Sequence, residues 1–273
     1  MRDLIAALPM YDWPELRAET DGLWAHLRDA LRARGIDAPE QLSRCNADLS
    51  PVSSGIRNSI GKIIAPDPAT LVREDFDLPV LWRHPALLVA QTCWGPMEFG
   101  LADDVQVVGQ SRYDGIEGGE GEFYSSAIVM RRGVIGHVPA PTGGCPLVPA
   151  DALRGKRFAY NDGESMSGIN GLKRDLEAMG ESLSLFATCE ESGGHRFSVR
   201  AVAEGRADVA AIDCLSWVLA QRFESAAAEL EVVGWTARRK GLPFITSLST
   251  PPGAVAALKE VLSKQLPAVI NLG

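Results

Sequence analysis

The sequence predicts an α/β protein whose largely parallel sheets are flanked by helices. Two observations support this fold class. Short apolar runs of the kind that form buried strands alternate along the chain with segments of helical periodicity, and turns rich in Gly, Pro, Ser and Asn separate them. The chain is also long enough, because 273 residues of which 46% are hydrophobic suffice for one sizeable core or two modest lobes.

The first elements are predicted to be a buried strand and an amphipathic helix. Residues 4–8 form the strand, and Pro14 suits the first turn of the helix, which stops at Gly35. The apolar stripe of this helix comprises Leu16, Leu23, Trp24, Leu27 and Leu31. The polar stretch 45–68 is predicted as an irregular excursion with one helical turn within 56–64.

The middle of the chain is predicted to contain strands around a glycine-rich segment. Residues 87–91 and 105–108 are apolar runs typical of strands, and residues 124–131 alternate in the strand pattern. The segment 112–122 is the most glycine-rich part of the chain. It lacks a Gly-Lys-Ser/Thr motif and a following helix, so a flexible crossover is favoured over a nucleotide-binding loop.

The last part of the chain is predicted to continue the alternation of strands and helices. Residues 207–213 form a short buried strand that ends in a carboxylate, and a helix runs through 217–223. Strands follow at 230–235 and 241–246, and Pro252 starts a final helix.

Two polar, glycine-containing turns each open a predicted helix. In the stretch 158–176, Ser165 or Ser167 can cap the helix, and a second turn of this kind lies at 191–197. Unpaired N–H groups and the positive end of the helix dipole allow such a helix start to bind an anion. Serine also caps helices in purely structural roles, which remains the alternative for either turn alone. Two such turns in one lobe favour a small anionic ligand.

Composition argues against several classes of protein. The net charge of −8 disfavours a nucleic-acid surface. The four histidines are scattered without an H-E-x-x-H motif, so neither a metal site nor a cofactor is predicted. The five cysteines, odd in number and without C-x-x-C, are expected to be free thiols in a reducing compartment. With no signal peptide or transmembrane span in the sequence, a cytoplasmic location is expected, or a periplasmic one if the sequence had been trimmed.

Six short motifs follow one another over nearly the whole chain. They are Leu8-Pro-Met-Tyr-Asp-Trp-Pro14, Gln91-Thr-Cys93, Tyr124-Ser-Ser126, Asn161 with Ser165-Met-Ser-Gly168, Ser192-Gly-Gly-His195, and Gly205-Arg-Ala-Asp-Val-Ala-Ala-Ile-Asp213. In this order they resemble the phosphate, phosphite and phosphonate substrate-binding proteins of ABC transporters, which have the type II periplasmic-binding-protein fold. The set is fairly specific for that superfamily, although each motif alone is weak.

The resemblance implies two lobes joined by crossing strands, with the ligand in the cleft between them. The first lobe would comprise 1–117 and 236–273, and the second 118–235. The resemblance implies ligand contacts from Tyr11, Trp13, Thr92, Tyr124, Ser126, Ser165, Ser167, Gly168, Ser192, His195 and Asp213. Tyr11 and Trp13 would wall the cleft, and the serines of the two turns with His195 would hold the oxygens of the anion.

The implied function is non-catalytic binding of a small phosphate-like or phosphonate-like oxyanion. The protein would act as the solute-binding component of an ABC transporter, with a permease as its partner, or as a sensor. The alternative is an enzyme on the same fold, such as a relative of chorismate dehydratase or of thiamine-pyrimidine synthase. A Ser/His/Asp hydrolase is disfavoured because no Gly-x-Ser-x-Gly elbow occurs. From the residues alone, His195 remains open between anion donor, base and local hydrogen-bonding partner, and Asp213 between ligand contact and helix cap.

Overall fold

The computed structural model describes residues 3–58 and 60–266, and the chain divides into two compact units. The first unit is formed by Met1–Ser111 together with Leu242–Gly273, and the second by Arg112–Gly241. The second unit is therefore one continuous segment inserted into the first.

The strands, in chain order, are β1 (Ile5–Ala7), β2 (Ile56–Arg57), β3 (Ile63–Ala65), β4 (Leu87–Gln91), β5 (Val105–Gln110), β6 (Gly119–Glu120), β7 (Phe123–Tyr124), β8 (Ser126–Arg131), β9 (Arg157–Tyr160), β10 (Thr188–Glu191), β11 (Val209–Asp213), β12 (Leu230–Trp235), β13 (Arg239–Lys240) and β14 (Pro243–Ser247). The α-helices are α1 (Arg17–Arg32), α2 (Leu78–Arg83), α3 (Trp94–Glu98), α4 (Ala150–Leu153), α5 (Gly171–Ala178), α6 (His195–Ala203), α7 (Cys214–Phe223) and α8 (Pro252–Gln265). A π-helical turn, Met166–Asn170, leads directly into α5.

The first unit is built on a four-stranded sheet of order β1-β4-β14-β5. β1 and β4 are parallel, whereas β14 runs antiparallel to both β4 and β5. All strands of this sheet except β14 therefore point the same way, as the α/β prediction requires. The residues of α1 and α8 that pack on the sheet are Trp24, Leu27, Leu31, Leu258, Val261 and Leu262. The apolar stripe predicted for the first helix is thus largely confirmed.

The excursion at 45–68 contains a β-hairpin, so the helical turn predicted within 56–64 is wrong. Arg57 on β2 pairs with Ile63 on β3. The side-chain oxygen of Asn58 accepts hydrogen bonds from the backbone of Ile60 and Lys62, and Gly61 has a φ of +80°. Asn and Gly at these positions favour a tight turn over a helix, because both tolerate backbone conformations that helices exclude.

The second unit is built on a five-stranded sheet of order β10-β9-β11-β8-β12. β9, β10 and β11 are parallel, and β8 runs antiparallel to its neighbours β11 and β12. One strand again opposes all the others. The buried core on this sheet includes Ile128, Met130, Leu153, Phe158, Leu172, Leu176, Val209 and Val233.

The second unit extends beyond the predicted lobe 118–235 at both ends, and a small sheet explains why. β7 pairs with both β6 and β13, so residues near 239 join residues near 120. The glycine-rich segment, predicted as a flexible crossover, is packed tightly here. A Cβ on Gly118 would meet the ring of Trp235, and one on Gly119 would meet Tyr113. Glycine is needed at these two positions because buried aromatic rings lie against the backbone.

All five cysteines are free thiols, as predicted: Cys45, Cys93, Cys145, Cys189 and Cys214. Within residues 3–58 and 60–266, no helix is both long and apolar enough to cross a membrane.

Candidate functional site

A buried polar cluster lies after β9 in the second unit. Ser165 caps the helical segment that starts at Met166, because its hydroxyl accepts a hydrogen bond from the backbone N–H of Gly168 at 3.1 Å. The Oγ atoms of Ser165 and Ser167 are 3.3 Å apart, and each residue is only 6% exposed. The predicted cap is therefore present, and it brings two hydroxyl groups together.

His195 joins this cluster from the first residue of α6. Its Nε2 lies 2.8 Å from the Oγ of Ser167 and 3.3 Å from a carboxylate oxygen of Asp213. Asp213 is the last residue of β11 and also caps α7, since its other oxygen accepts from the backbone N–H of Ser216 at 2.9 Å. Asp213 is thus the cap of α7, and its contact with the ligand stays a prediction.

The sheet explains why these residues meet. β10, β9 and β11 are neighbouring parallel strands, so their carboxyl ends lie at one edge. Ser165 and Ser167 follow β9, His195 follows β10, and Asp213 ends β11. The carboxyl edge of parallel strands is the usual ligand-binding edge of α/β proteins.

The imidazole of His195 is neutral near pH 7. Burial lowers its pKa below the usual range, and this effect outweighs the opposite influence of Asp213. Its side chain is 12% exposed. Its Nδ1 is buried with no hydrogen-bond partner among the described residues. One ring nitrogen therefore holds Ser167 and Asp213, and the other is left for another group.

Position 168 must be a glycine because the side chain of Asn161 lies against it. A Cβ on Gly168 would collide with the side-chain oxygen of Asn161. That oxygen is buried and has no hydrogen-bond partner in the part of the chain that the structure describes. Asn161 directly follows β9, so its acceptor lies at the same sheet edge as the serines. Asn161 belongs to one of the sequence motifs but was not predicted as a site residue, although its position after a strand is a signal for one.

Ser192, predicted to contact the ligand, is engaged in local hydrogen bonds. Its Oγ lies 3.0 Å from the carbonyl oxygen of Tyr160, 3.1 Å from that of Gly194 and 2.7 Å from the Oγ of Ser198. These contacts stabilise the turn that precedes His195. Ser192 stays a predicted ligand residue, and its observed contacts are structural.

Tyr124 and Ser126 lie on strands beside the cluster. Ser126 pairs with Asp213 across β8 and β11, and its backbone N–H donates to the hydroxyl of Thr236 at 2.8 Å. Tyr124 is buried on β7, with its ring centroid 5.3 Å from that of Tyr113. Ser126 is thus next to the cluster, whereas the Tyr124 ring packs on another aromatic ring.

The other predicted site residues belong to the first unit. Tyr11 is buried in the turn after β1, and the backbone N–H of Trp13 donates to its carbonyl oxygen at 2.9 Å. Thr92 directly follows β4 and is fully buried. Its hydroxyl has no hydrogen-bond partner within the described ranges.

Solved structures with similar folds include a binding protein of an ABC phosphonate transporter. PhnD1 of Prochlorococcus marinus in complex with methylphosphonate has a TM-score of 0.61 and 14% identity, covering 95% of this chain and 83% of that one. A binding component of an ABC phosphonate transporter from Pseudomonas aeruginosa has a TM-score of 0.58 and 13% identity, covering 97% and 78%. A Xanthomonas citri protein with bound chloride has a TM-score of 0.56 and 15% identity, covering 96% and 83%. At such identities the likeness shows the fold alone, which is that of the two-lobed periplasmic binding proteins.

The sequence narrows this class to one family. The family model of periplasmic phosphonate substrate-binding proteins of ABC transporters matches residues 97–265, more than half of the chain. The chain belongs to this family, which confirms the resemblance and its implied role as a transporter's substrate-binding component. No curated protein matches the sequence. Because the family is periplasmic, the expected cytoplasmic location is not supported.

Proposed function

We propose that this protein binds a small phosphonate-like or phosphate-like oxyanion without transforming it, and presents it to an ABC permease. In the second unit, the ligand oxygens would contact Ser165, Ser167 and His195. The family supplies the transporter class. The geometry of the cluster supports the choice of ligand and of the residues that would hold it.

The observation that carries this proposal is the convergence of Ser165, Ser167 and His195 at two helix starts. Hydroxyl groups donate hydrogen bonds without adding net charge, and the Nδ1 of a neutral His195 whose Nε2–H faces Asp213 can accept a hydrogen bond from a protonated ligand oxygen. The first N–H groups of α6 have no acceptors within the helix, and the helix dipole favours a negative group there. An oxyanion desolvated at this edge can therefore have its oxygens satisfied.

Asp213 restricts which oxyanions fit. A carboxylate repels a fully ionised oxyanion, unless the ligand offers a proton or an amine to the carboxylate oxygen near His195. A phosphonate or phosphate that carries one proton meets this requirement. A ligand amine would do so as well, whereas sulfate, which carries no proton near pH 7, would not.

The contacts of His195 support binding without catalysis. In a Ser-His-Asp triad, the hydroxyl and the carboxylate contact different ring nitrogens, so that the carboxylate orients the imidazole that takes the serine proton. Ser167 and Asp213 both lie at Nε2. This arrangement holds the ring in position, and among the described residues Nδ1 lacks the carboxylate partner that a triad requires.

Calorimetric titration with methylphosphonate, phosphate, phosphite and sulfate tests the proposal. We expect at least one of the first three to bind and sulfate not to bind. Ser167→Ala should weaken that binding about ten- to hundredfold, the usual cost of a lost hydrogen bond to a charged group. Asp213→Asn should admit sulfate. If none of the three ligands binds, or if Ser167→Ala leaves the affinity unchanged, the proposal is wrong.

A further inference from the structure

Several buried polar atoms at the carboxyl edge of the first unit's sheet lack a hydrogen-bond partner in the described part of the chain, and two of them lie on one face of the sheet. They are the hydroxyl oxygen of Thr92 and the side-chain nitrogen of Gln110, and neither has a hydrogen-bond partner among residues 3–58 and 60–266. Thr92 follows β4 and Gln110 ends β5. A buried donor without an acceptor is costly, so native proteins rarely keep one without a reason.

The strand register places these two side chains on one face. Gln110 lies opposite Pro243 on β14. The backbone N–H of Thr92 donates to the carbonyl oxygen of Pro243 at 3.0 Å, so Thr92 continues the antiparallel register in which Gln91 lies opposite Phe244. Residues directly opposite one another share a face. Thr92, Pro243 and Gln110 therefore form one row, with the two polar residues about 10 Å apart along two strand spacings.

Gln106, a second glutamine on β5, has a purely structural role and serves as a comparison. The side-chain nitrogen of Gln106 lies within hydrogen-bond distance of the carbonyl oxygens of Ser247, Leu248 and Thr250, at 3.1, 3.2 and 3.3 Å. It ties β5 to the turn after β14. Gln110, on the same strand, has no such partner, although its nitrogen is buried.

We propose that Gln110 and Thr92 are the first unit's ligand-binding pair, with the side chain of Pro243 as the floor between them. Both donors are neutral, and the oxygen atoms of an oxyanion would supply the acceptors that these two groups lack among the described residues. This inference rests on the proposed function and adds Gln110 as a determinant of specificity. A tetrahedral group with several acceptor oxygens can bridge two donors, whereas a planar apolar ligand cannot.

Gln110→Leu and Gln106→Leu, a matched pair on one strand, test the assignment. The probe is whichever of methylphosphonate, phosphate and phosphite binds the parent protein most tightly. We expect Gln110→Leu to weaken binding about ten- to hundredfold and to leave the urea-unfolding midpoint unchanged or raised. Gln106→Leu should lower the midpoint and leave the affinity unchanged. Thr92→Val, which removes only the hydroxyl, should resemble Gln110→Leu.

The outcomes separate this assignment from the proposed function. If the parent binds a probe and Gln110→Leu binds it equally well, the assignment is overturned while the proposed function stands. If the parent binds none of the probes, the proposed function fails. The urea-unfolding midpoint of Gln110→Leu then still shows whether Gln110 has a structural role. A loss of stability as large as that of Gln106→Leu would then show that Gln110 has a structural role and would overturn the assignment.

Discussion

The ring of His195 links the polar groups of the second unit, since its Nε2 alone contacts both Ser167 and Asp213. Its burial lowers its pKa. The folded protein therefore resists protonation that the unfolded chain accepts with the ordinary pKa of about 6.5. Because the unfolded state binds more protons in this range, the free energy of unfolding decreases as the pH falls.

We therefore expect the free energy of unfolding to decrease as the pH falls from about 7 to 5, with a contribution from His195. In His195→Gln the decrease should be smaller, because the amide does not titrate. Urea unfolding of both proteins at several pH values measures the difference. Parallel curves for the parent and the variant would contradict a lowered pKa at this position.

The residues of the site could be predicted from the sequence, but the contacts that each of them makes could not. Ser165, Ser167, His195 and Asp213 follow or end three strands, and sequence order with strand prediction places all four at one edge. Ser167 and Asp213 both contact Nε2 of His195 because of the directions of their side chains, which the order of residues does not determine. The hydrogen bonds of Ser192 to Tyr160 and Ser198 also depend on tertiary structure, which the spacing of residues in the sequence does not reveal.

At the scale of elements, an ion pair joins two strands beneath the polar cluster. The carboxylate of Asp208, just before β11, accepts hydrogen bonds from the side chain of Arg157 on β9 at 2.7 and 3.0 Å and from its backbone N–H at 2.9 Å. These bonds lower the pKa of Asp208 from 3.8 to about 2. The pair holds the amino ends of β9 and β11 in register, and the site residues lie at their carboxyl ends.

We expect Asp208→Asn to lower the free energy of unfolding by about 1 kcal/mol at pH 7, a value reduced for solvent screening of a partly exposed pair. The carboxylate stabilises the fold above its unfolded pKa, so the difference from the parent should shrink as the pH falls from about 4 to 2. Glu204→Gln is the control, because its partner Arg206 is exposed, and it should have little effect. Chemical unfolding at pH 7, 4 and 2.5 measures this. A difference as large at pH 2.5 as at pH 7 would contradict the ion-pair explanation.

Most helices and strands were predictable because their apolar periodicity is regular. The first helix, the strand before Asp213 and the final helix lie close to their expected ranges. The hairpin of β2 and β3 was missed because its isoleucines, Ile56, Ile63 and Ile64, are also spaced as on one face of a helix. Only the turn chemistry of Asn58 and Gly61 distinguishes the two readings. Short strands with few apolar residues do not determine a period by themselves.

At the scale of the whole molecule, the two units differ in how the chain builds them. All strands of the second unit's five-stranded sheet come from one continuous segment, whereas the first unit needs β14 from the end of the chain. β14 lies between β4 and β5, so it is a central strand. Without it, both neighbours would expose unpaired backbone edges within the core.

This asymmetry predicts the behaviour of fragments. We expect residues 112–241 to fold cooperatively on their own and residues 1–111 to remain unfolded. Linking 1–111 to 242–266 through a short Gly/Ser linker should restore folding. The two ends are adjacent, since the backbone N–H of Ser111 donates to the carbonyl oxygen of Leu242 at 2.9 Å. Circular dichroism and urea unfolding of the three fragments measure this. A folded 1–111 fragment would show that β14 is dispensable, and an unfolded 112–241 fragment would show that the second unit depends on the first.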